Sequence, residues 1–441
     1  MMRILVLGHG AREHAIAKRL AQSDHRPEVY AFMANANPGI ARLCRDFKLG
    51  SLLDVEEMVS YAREKRVDLV VPGQELPLIA GVVDALQRAG IAVIGPTRGL
   101  ARLEGDKSYL RALMSRCASE AMPHYRLCVN EVDVRAAVGE LGAVAVKPLG
   151  LTGGKGVKVT GRNLEDDDKA IDYALEVMQR DGRVLIEECL QGEEFSLMAF
   201  SDGSKLVSMP LVQDFKLAYE GDSGPMTGGM GAYSCPDHLL PFVSEAERTV
   251  AMDILERIVT AAQQENEALY RGFIYGQFML TAGGPKVIEV NVRLGDPEAI
   301  NVMYLLNADL IDISHQMLTH LKGAIAFKHA ATVVKYLVPK GYPSNPEEGR
   351  RISVDEAAIA ERSGDLYYAS VCFEGSEIYT TRSRSLAVLS AAATVMEAEK
   401  RVEEIVRSIE PEHLYHRSDI ASASVLTQKM EYMQRLRASS H

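Results

Sequence analysis

Four short apolar runs punctuate the first hundred residues, and their spacing limits what this chain can fold into. Arg3–Leu7, Val29–Met33, Asp68–Pro72 and Ile91–Ile94 each have the length of a strand. Ala11–Gln22 between the first two reads as a helix. Another helix is predicted to open at Asp54, where Asp54 and Glu57 have N-cap and capping-box spacing. Ala34–Gly39 reads as a loop, and Gly95-Pro96 closes the last strand. Strand and helix in alternation fold as a doubly wound parallel sheet, with ligands at the strand C-termini.

The chain has 441 residues, too many for one core, so about two to four domains are expected. A connector from Leu103 to Cys128 leads to strands Ala143–Lys147 and Gly156–Thr160 around a glycine-rich turn. A helix from Asp166 to Gln179 and a strand Val184–Glu187 follow. Glu194–Leu321 reads as antiparallel strands with helices at Ser244–Asn266 and Pro297–Leu306. Beyond Lys328, short strands mix with a helix near Val388–Ser408, and Ser439–His441 reads as a disordered tail. The net charge of −11 argues against nucleic acid as a partner. No run is long and apolar enough to suggest a membrane partner, and the first strand ends too soon at Gly8 for a signal peptide. The six cysteines lack C-x-x-C spacing, which predicts reduced thiols in a cytoplasmic protein.

Chemistry concentrates in Val287–Glu298. Period-2 geometry puts Glu289, Asn291 and Arg293 on one face of a strand, with Ile288, Val290 and Val292 on the other. Two oxygen ligands and a fixed cation suit Mg²⁺ and the oxygens of a nucleotide or acyl phosphate. Gly8-His9-Gly10-Ala11-Arg12-Glu13-His14 links a strand to a helix and reads as a phosphate site. It is not a dinucleotide fingerprint: Glu13 holds the third glycine position, and no acid ends the second strand. His9 and His14 read as satisfied histidines. Lys147 and Lys155 flank a loop with Gly150, Gly153, Gly154 and Gly156, where backbone and ammonium groups can both approach phosphates. It is no Walker A loop, because Gly156 follows Lys155. Glu187–Glu194 ends a strand in acids, where backbone groups suit an adenine edge and a carboxylate suits ribose hydroxyls. Gln213–Lys216 and Gly224–Ala232 read as a loop that covers substrate.

Lys107, Lys147, Glu187–Glu194, Gln277, Glu289 and Asn291 fall in the order and spacing of an ATP-grasp fold. More narrowly, the chain resembles the phosphoribosylamine–glycine ligase family along nearly its whole length. The resemblance rests on Gly8–His14, Pro38-Gly39, Gly73–Leu78, Gly95–Thr97, Leu103–Lys107, Gly150–Val157, Thr227–Tyr233 and Arg293–Glu298. It implies an α/β and α+β multidomain protein: an N-terminal domain at 1–104, two ATP-grasp subdomains at 105–193 and 194–327, and a small mixed α/β domain at 328–436. The family's reaction joins glycine to 5-phosphoribosylamine through glycyl phosphate, using ATP and Mg²⁺ or Mn²⁺, with two ions expected.

The same resemblance implies the roles. Lys107, Lys147, Gly153, Gly154, Lys155 and Gly156 meet the ATP phosphates, while Glu187, Cys189 (through its backbone) and Glu194 hold adenosine. Gln277, Glu289 and Asn291 hold the metal. Arg293 stabilises the transferring group, and Asp214 and Asp296 orient an amine. Gly8, Gly10, Arg12, Asn37 and Gly39 take the sugar phosphate, with Gly228 and Gly229 over the substrates. A monomer or homodimer is expected. Ala11, Gln74, Phe215, Leu217 and Met226 depart from the commonest bacterial pattern. The competing readings are another ATP-grasp ligase with a different acid, a dehydrogenase on the N-terminal sheet, and an ATP-binding sensor without turnover.

Overall fold

The computed structural model of the chain describes all residues except 151–155, 376, 410–411 and 440–441. The N-terminal runs form a five-stranded parallel sheet of β1 (Arg3–Leu7), β2 (Glu28–Met33), β3 (Asp46–Leu49), β4 (Leu69–Pro72) and β5 (Ala92–Val93), in the order β3-β2-β1-β4-β5. Ile4 to Leu7 are wholly buried, as a central parallel strand under crossover helices requires. The strand order reverses between β1 and β4, the place where such sheets open a crevice. Asp54 accepts a bond from the Glu57 amide, 2.9 Å, and starts the helix Val55–Glu64 as expected. The loop expected at Ala34–Gly39 ends early. Asn37 caps a helix Pro38–Leu43 that carries proline at its first position.

The next unit is an antiparallel sheet in the order Tyr125–Cys128, Val184–Glu188, Val144–Lys147, Lys158–Val159. Helices Glu131–Leu141 and Asp167–Asp181, capped by Asn130 and Asp166, complete its own small core with Val146, Ile186 and Ala174. Facing it is the sheet Leu206–Ser208, Glu193–Asp202, Arg271–Thr281, Gly284–Asn291. In its long central pair Phe195 opposes Phe278, their rings stacked at 5.3 Å, while Ser196 opposes Gln277 on the other face. Such an aromatic pair adds about 1 kcal/mol beyond its burial and fixes which face turns to the cleft.

A further sheet runs Gln213–Asp214, Gly231–Ser234, Ala331–Pro339, Leu386–Ala392, Gly364–Tyr368. Its middle strand, Ala331–Pro339, is buried throughout. The helix expected near Val388–Ser408 begins later. Leu386–Ala392 is a strand, and the helix is Val395–Ser408, capped by Thr394 at the Glu397 amide, 3.3 Å. An apolar run buried between two strands lacks the period that separates strand from helix. A last helix, Ala423–Ala438, closes on Ser439, and the rest of the expected tail lies outside the described residues. All six cysteines are free thiols. Among the described residues no helix is long and apolar enough to cross a membrane.

Because Gly231–Ser234 takes its ladder partner from Ala331–Pro339, a fragment ending at residue 330 exposes an unpaired edge and a large apolar face. Size-exclusion chromatography and thermal melting are expected to show it aggregated and without a cooperative transition. A monodisperse, cooperatively melting fragment would contradict the shared sheet.

Candidate active site

One cleft of about 1630 Å³, its open mouth included, has walls from every unit. Ala145, Val157, Val159, Leu190, Met279 and Ile288 line an apolar slot at one end, the shape and polarity of a site for a flat heterocycle. The slot depends on a β-bulge. Gln277 pairs with Glu289 but Phe278 pairs with Val287, so Ile288 is an extra residue. The strict alternation expected for this strand therefore breaks. Ile288 and Glu289 both line the cleft, while Val287 and Val290 stay in the core.

Beside the slot, cations and acids interlock. Glu187, 2 % exposed, accepts from Arg111 at 2.5 and 3.1 Å and from Lys147 at 2.5 Å. Burial pushes its carboxyl up, but Arg111 and Lys147 outweigh that and hold it at about 2. Lys107 stands at the first turn of Lys107–Cys117 because Asp106 caps that helix. Its ammonium donates to the Gly150 carbonyl at 2.9 Å, and burial pulls its pKa down. Glu289 accepts from the Asn291 amide at 3.1 Å. Burial raises its carboxyl, yet Lys216, that amide, Lys107 and Lys147 keep it below the usual range. Lys216 bonds Glu194 at 2.9 Å and lies 3.8 Å from Asp214. Burial pushes the Asp214 carboxyl up to about 7; Glu298 and Glu194 add to the rise against Lys216.

The other end of the cleft is built of guanidinium groups already matched with acids. Arg12 bonds Glu13 at 2.6 Å, and Arg293 bonds Glu104 at 2.8 Å; both also reach Glu75 and donate to the Leu294 carbonyl. Burial raises the Glu104 carboxyl to about 7 against the pull of Arg293. Arg384 bonds Asp296 at 2.9 Å, and the Tyr336 hydroxyl takes that carboxylate's other oxygen at 2.5 Å.

Family models match almost the whole length in three consecutive pieces. Residues 2–104, 105–299 and 332–423 match the N domain, the ATP-grasp (A) domain and the C domain of phosphoribosylglycinamide synthetase. The chain belongs to the phosphoribosylglycinamide synthetase family. A phosphoribosylamine–glycine ligase from Methanosarcina barkeri is 44% identical over 99% of this chain and 100% of its own. One from Pyrococcus abyssi is 43% identical over 99% and 98%. The crystal structure of phosphoribosylamine–glycine ligase from Thermotoga maritima superimposes with a TM-score of 0.79 at 26% identity, covering 95% of this chain and all of that one. A biotin carboxylase from Campylobacter jejuni shares the fold, with a TM-score of 0.72, 13% identity and 98% of both chains covered.

In this family member the residues singled out by sequence divide into two sets. Arg12, Lys107, Lys147, Glu187, Cys189, Glu194, Asp214, Gly228, Glu289, Asn291, Arg293 and Asp296 all line the cleft. Gly153, Gly154 and Lys155 lie outside the described residues; the Gly156 carbonyl accepts the Tyr173 hydroxyl at 2.8 Å. Several of the predicted groups are already occupied. The Gln277 carbonyl takes the Ser196 hydroxyl at 3.1 Å and the Tyr275 hydroxyl, and its amide nitrogen points to Glu194 at 3.0 Å. That leaves Glu289 and Asn291 as the pair with oxygens to offer. The Glu187 carboxylate is held by its cations, and the Cys189 amide is bonded to the Ala143 carbonyl at 2.8 Å.

The N-terminal glycine turn is filled from within. The Gly10 amide donates to Glu13 at 2.6 Å, and a Cβ on Gly8 or Gly73 would meet the Glu13 side chain at 2.6 or 2.4 Å. The buried Glu13 carboxylate thus sits where a bound phosphate was expected. Asn37 spends its amide on the His9 and Tyr368 carbonyls and its oxygen on the Gly39 and Ile40 amides. Gly39 leaves room for the His14 ring, 2.1 Å from where its Cβ would lie. Of the departures from the bacterial pattern, Phe215 and Leu217 are core residues, whereas Gln74 and Met226 line the cleft. Sequence reasoning gave no site role to Arg111, Glu104, Glu298, Tyr336 or Arg384, and placed Lys216 only within a loop over the substrate. Glu298 and Glu104 stand inside runs already noted, but nothing in the sequence ties Tyr336 or Arg384 to them.

Glu187 carries a pH signature. Its folded value of about 2 lies below its ordinary 4.5, so its stabilisation is full above pH 4.5 and is lost as pH falls toward 2. Glu187→Gln, which leaves two buried cations short of a partner, is expected to cost about 3–5 kcal/mol at neutral pH. Urea unfolding across pH 2–7 should show that deficit shrinking below pH 4.5. A constant deficit would refute the buried pair.

Proposed function

We propose that this cleft ligates glycine to 5-phosphoribosylamine, with ATP converted to ADP and phosphate through glycyl phosphate. The observation that carries the reading is the full-length relationship to proteins named phosphoribosylamine–glycine ligase. The two-ended cleft supports it. An apolar slot beside Lys107 and Lys147 suits adenine and the phosphates, and the arginine-lined end suits two small polar substrates. A carboxylate is a poor acylating agent at neutral pH, so phosphorylation must come first. The glycine carboxylate attacks the γ-phosphorus and ADP leaves. The sugar amine then attacks the acyl carbon, a proton leaves its nitrogen, and phosphate departs.

The protein's part is to position groups and neutralise charge. Lys107 and Lys147 hold phosphate oxygens, and Arg293 faces the transferring phosphoryl group or the acyl phosphate. Asp214 and Asp296 orient an amine. Glu289 and Asn291 form a donor set of hard oxygens that fits Mg²⁺ or Mn²⁺ when nucleotide phosphates complete the coordination. Bound there, such an ion would supply charge neutralisation at the phosphate oxygens. Cradled between Ser196 and Tyr275, Gln277 supports the face beside this pair.

ADP release from MgATP is expected only when glycine and freshly generated phosphoribosylamine are both present. Release with another acid in place of glycine would move the assignment to a different ATP-grasp ligase. Glu289→Ala should lower turnover by at least about a thousandfold and leave the melting temperature within about 2 °C of the parent. An active Glu289→Ala enzyme would remove the metal pair from the mechanism.

A further inference from the structure

The loop that covers the acceptor end has few side chains with which to anchor itself. In Gly224–Gly231 the Thr227 and Met230 amides donate to the Lys216 and Phe215 carbonyls at 2.8 and 2.7 Å. Thr227 adds a side-chain tie: its hydroxyl donates to the Lys216 carbonyl at 2.8 Å and accepts the Gly229 amide at 3.0 Å. Gly229 has φ +108°, and a Cβ there would meet Pro297 at 2.7 Å, so the loop lies flush on the Asp296-Pro297 turn. What joins loop and turn comes from the C-terminal third of the chain. The Arg384 guanidinium donates to the carbonyls of Gly228 at 2.7 Å, Gly229 at 3.0 Å and Asp296 at 2.9 Å. It also donates to the Asp296 carboxylate at 2.9 Å.

The same guanidinium rests over the Tyr336 ring, 4.4 Å from its centroid, and Tyr336 donates to the second Asp296 oxygen. Both oxygens of a cleft carboxylate are therefore set from outside the ATP-grasp sheets. Three of the Arg384 contacts come from Nη1, whose two hydrogens are shared among the three carbonyls, while Nη2 holds the carboxylate. The planar group fixes both nitrogens at once, which a single ammonium cannot. Tyr336 is fully buried and Arg384 lines the cleft itself.

We propose that Arg384, supported by Tyr336, is a positioning residue for the ligation step, holding Asp296 and the Gly228–Gly229 backbone against the two small substrates. The proposal rests on the reading that this end of the cleft takes glycine and phosphoribosylamine. A misplacement of about 1 Å at such a site costs about a hundredfold in rate. In the full-length enzyme, Arg384→Ala is expected to lower kcat/KM for glycine and for phosphoribosylamine by about that factor, with the KM for ATP within about twofold. Arg384→Lys should restore little of the loss. Should Arg384→Ala fail to fold, Tyr336→Phe removes one donor, and the same substrates should lose about tenfold, the cost of one hydrogen bond to a charged group.

A loss shared equally by ATP, or kcat/KM within twofold of wild type in the variant that folds, overturns the proposal. Amide hydrogen exchange over 226–231 in the unliganded full-length protein reads the anchoring without reference to any substrate. Faster exchange in Arg384→Ala or Tyr336→Phe supports positioning even where the wild-type enzyme proves to use a different acid. Unchanged exchange sinks it.

Discussion

Arg111 holds the two walls of the nucleotide end together, and most of the cleft depends on that one guanidinium. Two of its nitrogens close on Glu187, at the end of a strand in the small sheet; one of them also donates to the Ile288 carbonyl across the cleft at 2.8 Å. That carbonyl belongs to the extra residue of the β-bulge, which lies outside the regular ladder. Glu187 in turn holds Lys147. A bulge, a buried pair and a lysine that lines the cleft thus form one connected unit. Pairs of this kind add little net stability over an apolar packing, but breaking one is severe. Their role here is to fix geometry.

The acceptor end follows the same rule with opposite emphasis. Arg12, Arg293 and Arg384 converge there, each matched with an acid before any substrate arrives. An anion entering this end would meet guanidinium groups that are oriented but partly neutralised. Binding therefore turns on placing a few oxygens well, and less on the total positive charge. Glu104, raised to about 7, lets the local charge near Arg293 adjust without moving a backbone.

The parallel sheet and the helices that carry caps were legible because their signals are local. Asp54 with Glu57 and Ser244 with Glu247 each announce a helix start. The spacing of Glu289, Asn291 and Arg293 announces chemistry. Less legible was anything decided by what a group meets in space. The Gly8–Gly10 turn reads as a phosphate site because glycine spacing reports room for an anion; the anion proves to be the chain's own Glu13. Gln277 looks like a ligand until Ser196 and Tyr275 occupy its oxygen. The bulge at Ile288 has no sequence mark, and Arg384 acts on residues far away along the chain.

The strands Gln213–Asp214 and Gly231–Ser234 are adjacent in one sheet, so the segment between them leaves and re-enters at neighbouring rungs. Its two stems are fixed about 4.8 Å apart, and the entropy of closing a loop grows only slowly with its length. Within the segment Leu217 pairs with Met226 and Tyr219 with Ser223, so a change of length at the turn between them, residues 220–222, lengthens or shortens a hairpin without shifting the register of the sheet it leaves.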